Sequence, residues 1–190
     1  DGKMCPDSRG GGEFVSRSRP LRVSSVHMPD TTLTSETRIE PAILDDLPQL
    51  TDLVMALLSQ EEDFVADRNK QQHGLRLILE QPSRGRIFVL RNDHHIIGMV
   101  NLLFTISTAE GGFVILMEDV IVHPDHRGQG YGTRLLQHAI AFAKEKQFKR
   151  ITLLTDKISA ESQKFFQRNG FKFSHMIPMR LVFSHEPENQ

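Results

Sequence analysis

The longest apolar stretch of the chain, Gly112 to Val122, reads as a strand covered on both faces. Both of its alternating sets are hydrophobic: Val114, Leu116, Val120 and Val122 on one side, Phe113, Ile115, Met117 and Ile121 on the other. Before it, Arg38 to Ala42 predicts a short first strand. Leu47, Leu50, Leu53, Val54, Leu57 and Leu58 then recur at helical spacing behind the turn-forming Asp45-Asp46. A second helix is expected from Asp67 to Gln81, with Leu75, Ile78 and Leu79 as its face, Gly74 weakening it and Pro82-Ser83 ending it. Arg86 to Arg91 and His95 to Ile106 predict a hairpin around the turn pair Asn92-Asp93.

After the buried strand, Leu135, Leu136, Ala139, Ile140 and Ala143 give a helix face in a helix starting near Thr133. A strand from Arg150 to Thr155, a helix from Ala160 to Arg168, and strands at Phe171 to His175 and Met179 to Phe183 complete the pattern. The expected fold class is α/β, a mixed twisted sheet with helices on both faces, in one domain over residues 37–190. Residues 1–36 show no such period and hold Gly10-Gly11-Gly12, three prolines and many hydroxyl residues. They are expected to be a disordered extension without function, with Met28 offering a natural start.

Composition narrows the partners. With 190 residues and 38% hydrophobic content the chain can bury one sizeable core. A net charge of −1 gives no global field for nucleic acid or an anionic membrane. The single Cys5 excludes an internal disulfide framework and lies in the tail without a base beside it. No run approaches the ~20 apolar residues that span a bilayer, and no secretory core follows a basic start, so a cytoplasmic protein is expected. Nine histidines raise a metal site, but His94-His95 would face opposite ways on a strand and His123 and His126 straddle a proline turn. No metal is expected.

The chemistry concentrates after the buried strand, in Arg127-Gly128-Gln129-Gly130-Tyr131-Gly132. Alternate glycines let the backbone turn with its N–H groups in one concavity, and the helix behind adds the positive end of its dipole. That is an anion site suited to a pyrophosphate. A P-loop would need Lys and Ser or Thr after its last glycine, and the dinucleotide turn needs Gly-x-Gly-x-x-Gly in a first strand-helix unit, so neither fits.

Arg127, Gly130 and Gly132 instead resemble the Arg-x-x-Gly-x-Gly/Ala acetyl-CoA loop of the Gcn5-related N-acetyltransferase (GNAT) family. Met117 to Pro124 is similar to that family's fourth strand, and Phe165 to Phe171 to its closing helix-turn-strand motif. Three motifs in order span about residues 37–183. The resemblance implies a GNAT-like sheet that splays beside the fourth strand, with acetyl-CoA as cosubstrate. It places the cofactor against Val120, Ile121, Val122, Arg127, Gly128, Gln129, Gly130, Tyr131, Gly132, Ser159 and Phe166. A small-molecule amine is the expected partner, and a homodimer is compatible with the fold.

Acetylation of an amine needs a base, because an ammonium with a pKa of about 10 cannot attack. Glu118 and Asp119 are adjacent carboxylates in an apolar strand, where burial raises the pKa of an unpaired acid. Strand alternation would let only one of them face a given cleft. Glu118 is taken as catalytic base and substrate-amine ligand, with Asp119 as a second substrate-binding candidate or a structural acid. Glu-Asp followed by two apolar residues also resembles the corresponding strand of glucosamine-6-phosphate acetyltransferases, which adds an amino sugar to the candidate acceptors.

Two positions depart from the family. Phe166 stands where a tyrosine customarily protonates the departing thiolate, and Ser159 where an asparagine often contacts the cofactor. A thiol pKa of about 8.5 allows departure near neutral pH with little help. Ser159, Ser162, Lys157 or a histidine are the other candidate donors, while Tyr131 is placed for packing. Three readings follow: an acetyltransferase acting on a small amine, one acting on a protein lysine or N-terminus, and a non-catalytic acyl-CoA-binding regulatory module. Acidic residues Glu61, Glu62, Asp63 and Asp67 in the expected substrate loops would suit a cationic acceptor.

Overall fold

The computed structural model of the chain describes residues 36–59, 66–155 and 159–183. The expected tail, with Cys5 and Met28, lies outside them except for Glu36; so do Glu61, Glu62, Asp63 and Lys157. The elements run β1 (Arg38–Pro41), α1 (Leu47–Leu58), α2 (Arg68–Glu80), β2 (Gly85–Asn92), β3 (His95–Ser107), β4 (Gly112–Val122), α3 (Tyr131–Glu145), β5 (Ile151–Leu153) and α4 (Ala160–Arg168).

The five strands form one sheet in sequence order. The first four are antiparallel neighbours, which short turns can connect; Asp93 takes a positive φ of 52° in the β2–β3 turn. β5 is parallel to β4, so the chain must cross the sheet between them, and α3 makes that crossover.

Two apolar layers sandwich the sheet, as the doubly hydrophobic strand requires. Leu47, Leu50, Leu53 and Val54 of α1 and Leu75 of α2 pack on Ile87, Val89, Met99 and Ile121. Leu135, Leu136, Ala139 and Ala143 of α3 pack on Phe88, Leu90, Val100, Leu102, Ile115 and Met117. At one end of the sheet, Arg91 of β2 binds Glu40 of β1 through Nε (2.6 Å) and Asp46 through Nη2 (2.9 and 3.0 Å). This nearly buried cluster ties β1 and the turn before α1 to the sheet.

Two expectations need correction. Helix α3 starts at Tyr131, two residues before Thr133, because Gly130 in the left-handed conformation ends the loop and serves as its N-cap. The strands expected at Phe171–His175 and Met179–Phe183 do not form. Apart from the half-buried Phe171, their apolar residues lie exposed, Phe173 at 65% and Met179 at 95%. Alternation specifies a strand only where a neighbour pairs with it and a face is buried; among the described residues no strand pairs with this segment, and past Phe171 its apolar residues are exposed.

Candidate active site

The site begins at an irregularity in β4. Leu102 pairs with Met117 and Val100 with Val120, so the single residue Asn101 of β3 stands opposite both Glu118 and Asp119. This two-against-one count is a β-bulge, a device that re-aims side chains. It corrects the expectation of simple alternation across the acid pair. Met117 and Val120 still face the α3 layer, and Ile121 the α1–α2 layer.

The acids are coupled to each other and to Asn101. Glu118 is solvent-exposed, Asp119 is half-buried and Asn101 is 4% exposed. Asn101 Nδ2 donates to Asp119 Oδ2 at 3.2 Å. The Glu118 carboxyl sits above the ordinary range because the apolar strand desolvates it and, secondarily, because Asp119 is negative; Arg180 opposes both. Burial raises Asp119 as well, and the Asn101 bond works against that rise.

Beyond the bulge, no described residue pairs with one edge of β4. The His123 N–H donates to the Ile97 carbonyl on the β3 side at 2.8 Å. Backbone direction alternates along a strand, so Ile121 also turns to β3, and the backbone groups of Val120 and Val122 turn to the opposite edge. There β5 runs alongside only as far as the Met117–Leu153 pair. Arg127 Nε donates to the Val122 carbonyl at 3.1 Å, folding the loop back onto this edge.

A 3-10 turn at Pro124–His126 then leads into the glycine loop. Gly128 (φ 76°) and Gly130 (φ 80°) both take left-handed backbone, which a side chain would strain. No atom of the described residues lies within 4 Å of where their Cβ atoms would be, so among them the loop surface is open. The first N–H groups of α3 lack partners within the helix and point out of its start. Tyr131 is the first residue of α3, with the Arg134 guanidinium 5.7 Å from its ring centre. Gln129 is exposed beside it.

Helix α4 faces this loop through an aromatic. A Cβ on Gly132 would lie 3.5 Å from Cζ of Phe165 and 3.8 Å from Cγ2 of Val122, placing that ring at the junction of strand edge and helix start. Phe166 packs edge-on against Phe165 and Phe171 and lines a groove with Leu153 and Thr155. Ser159 caps α4: its Oγ accepts from the Ser162 N–H (3.3 Å) and donates to Ser162 Oγ (2.9 Å). Thus Glu118, Asp119, Val120, Val122 and the loop share one region. The Ile121 side chain points into the α1–α2 core, 3% exposed.

Other candidates have structural employment. Asp67 caps α2 by accepting from the Asn69 and Lys70 N–H groups. His123 Nδ1 accepts from the Asp125 N–H at 3.4 Å, and His138 leans edge-on against Phe88, where burial lowers its pKa. Among the described residues no group of three potential ligands could hold a metal ion, and no helix is long and apolar enough to cross a membrane. Sequence reasoning overlooked Asn101, whose signal is a lone amide inside the apolar run from Ile96 to Ile106, and Arg91 with its two acids.

Comparison with known proteins gives this geometry its context. Residues 50–171 match the Acetyltransferase (GNAT) family. An aminoalkylphosphonate N-acetyltransferase of Salmonella typhimurium LT2 is 27% identical over 134 residues, 70% of this chain and 84% of that protein. A streptothricin acetyltransferase of Streptomyces lavendulae is 36% identical over 59 residues, 31% of each chain. Among solved structures, an aminoglycoside acetyltransferase from an uncultured soil metagenomic sample superposes with a TM-score of 0.62 at 20% identity, covering 79% of this chain and 97% of that one, and shows a shared fold.

Proposed function

Because the chain belongs to the Acetyltransferase (GNAT) family, we propose that it transfers the acetyl group of acetyl-CoA to the primary amine of a small molecule, by direct attack in a ternary complex. The observation that carries this reading is the acid pair at the bulge, immediately followed by a strand edge that no described residue pairs and a glycine loop at a helix start. Both small-molecule relatives support it: their names give an aminoalkylphosphonate and streptothricin as acceptors.

The residues fit the cosubstrate. The N–H groups from Gln129 to Gly132 form an open, positively polarised surface for the pyrophosphate, with Arg127 beside it. The β4 edge offers the backbone of Val120 and Val122 to an extended amide-bearing arm, and the Val120 N–H supplies a donor for a thioester oxygen. Bound there, acetyl-CoA supplies an acyl carbon already activated for attack.

Glu118 performs the proton transfer. At neutral pH the acceptor arrives as an ammonium, which the two carboxylates attract; Glu118, raised in pKa and open to solvent, takes its proton. The nitrogen lone pair is then free to attack. Phe166 has no hydroxyl to protonate the leaving thiolate, which departs with little assistance.

Phe166 and the cap-engaged Ser159 favour a second reading, an acyl-CoA-binding module without turnover. Thiol release measured with acetyl-CoA against aminoalkylphosphonates, amino sugars, aminoglycosides, polyamines and lysine peptides separates the readings. Release with a small amine is expected. Release with peptides alone would make the protein a protein acetyltransferase, and binding of CoA with no release would leave the module.

A further inference from the structure

We propose that Asn101 is a positioning residue that sets the order in which the two acids ionise, Asp119 first and Glu118 second, so that Glu118 becomes the stronger base. The proposal rests on the reading of Glu118 as the base. Its geometry is the bulge, which sets the Asn101 side chain of β3 opposite both acids at once. The amide is 4% exposed, and its Nδ2 reaches the Asp119 carboxylate at 3.2 Å.

The other end of the amide shows what this orientation costs. Asn101 Oδ1 is buried and has no hydrogen-bond partner among the described residues. An unsatisfied buried acceptor is unfavourable, and the charge-assisted bond made by Nδ2 offsets that cost. Turning it over would set Oδ1 against the carboxylate. Asn101 is therefore fixed as a donor to Asp119, and a donor favours the ionised acid.

The electrostatic consequence falls on Glu118. Once Asp119 is ionised, removing the second proton from the neighbouring carboxyl is harder, which makes Glu118 more basic. Among the described residues, the charged groups acting on Glu118 are Asp119 from β4 and Arg180 from the C-terminal segment, which pulls the other way. Without the Asn101 donor, Asp119 holds its proton longer. Glu118 would then ionise first, beside a neutral neighbour, as a weaker base.

Carboxyl-carbon NMR titration of the full chain tests this without any turnover. In Asn101→Leu, of similar size but without a donor, the Asp119 step should move to higher pH and the Glu118 step to lower pH. Asn101→Ala serves if the leucine variant does not fold. Asp119→Asn should also lower the Glu118 step, and adding Asn101→Leu to it should move that step no further. With an accepted amine, the acidic limb of kcat/KM should follow the Glu118 step downward, while the plateau falls a few-fold and CoA affinity is unchanged. Titration steps that coincide with the wild type, or shifts that add in the double variant, would overturn the proposal. Absence of turnover in a wild type whose carboxyls titrate as described would instead count against the acetyltransferase reading alone.

Discussion

The ring of Phe165 lies over Gly132, with Cζ and Cε2 3.5 and 3.6 Å from the place a Cβ would occupy. That is ordinary van der Waals distance, and Gly132 sits inside helix α3. Gly132→Ala should therefore fold and gain up to about 1 kcal/mol from helix propensity, read by urea unfolding. Gly130 differs, because its φ of 80° is strained for any side chain. Gly130→Val should cost about 1–3 kcal/mol and weaken CoA binding in calorimetric titration by a larger factor than Gly132→Ala does. Equal affinities in the two folded variants would refute the assignment of the loop to CoA.

Glu118→Gln should retain CoA affinity and lower turnover by about 10²- to 10⁴-fold, the range for loss of a positioned base. The largest loss is expected below the acceptor amine's pKa, where a proton must be removed before attack. A folded variant turning over every amine at the wild-type rate would remove Glu118 from the mechanism.

The same substitution has a stability signature. A carboxyl whose pKa folding raises contributes stability that is fully present below its unfolded pKa and lost as pH rises through the folded one. Folding raises Glu118, so at neutral pH the wild type carries a disfavoured charge that glutamine removes. Thermal unfolding should find the Gln variant at least as stable as the wild type at pH 7, with any advantage gone near pH 4. An advantage growing toward acid would contradict the raised pKa.

The Glu40 carboxyl in the Arg91 cluster titrates in the opposite sense. Hydrogen bonds from Arg91 and then Arg38 lower the Glu40 carboxyl, so its contribution is present above the unfolded pKa and lost as pH falls through the folded one. Arg91→Met would leave Asp46, with a side chain only 6% exposed, without its guanidinium, at a cost of about 3–5 kcal/mol. The part of the deficit that comes from Glu40, measured by denaturant unfolding, should narrow as pH falls through the lowered Glu40 pKa.

Phe166→Tyr tests the missing acid. The Phe166 ring is held between Phe165 and Phe171, and a hydroxyl there should raise turnover and introduce a decline in rate at high pH as it ionises. An unchanged pH profile would show that position 166 does not reach the thiolate.

Much of the fold was legible because it follows from local period. The doubly apolar β4, the α1 face and the hairpin at Asn92-Asp93 each carry their own signal. The two C-terminal strands were misread because alternation is also present where no partner strand pairs. The bulge was invisible for a different reason. It is a relation between Asn101 and two residues 17 and 18 positions later, and only the register reveals it. The link between Arg91 and Asp46, 45 residues apart, was hidden in the same way.

Strand β4 is one residue longer than its packing requires. A chain lacking Asp119 would set Glu118 alone against Asn101 and keep Met117 and Val120 on the α3 side, in an unbroken ladder. Elsewhere in the strand, losing a residue would turn every later side chain to the wrong face. A one-residue deletion in this chain is therefore expected to meet two different penalties along a single strand: at the acid pair the sheet can still form with one carboxyl fewer, and on either side of it the packing of the sheet is lost.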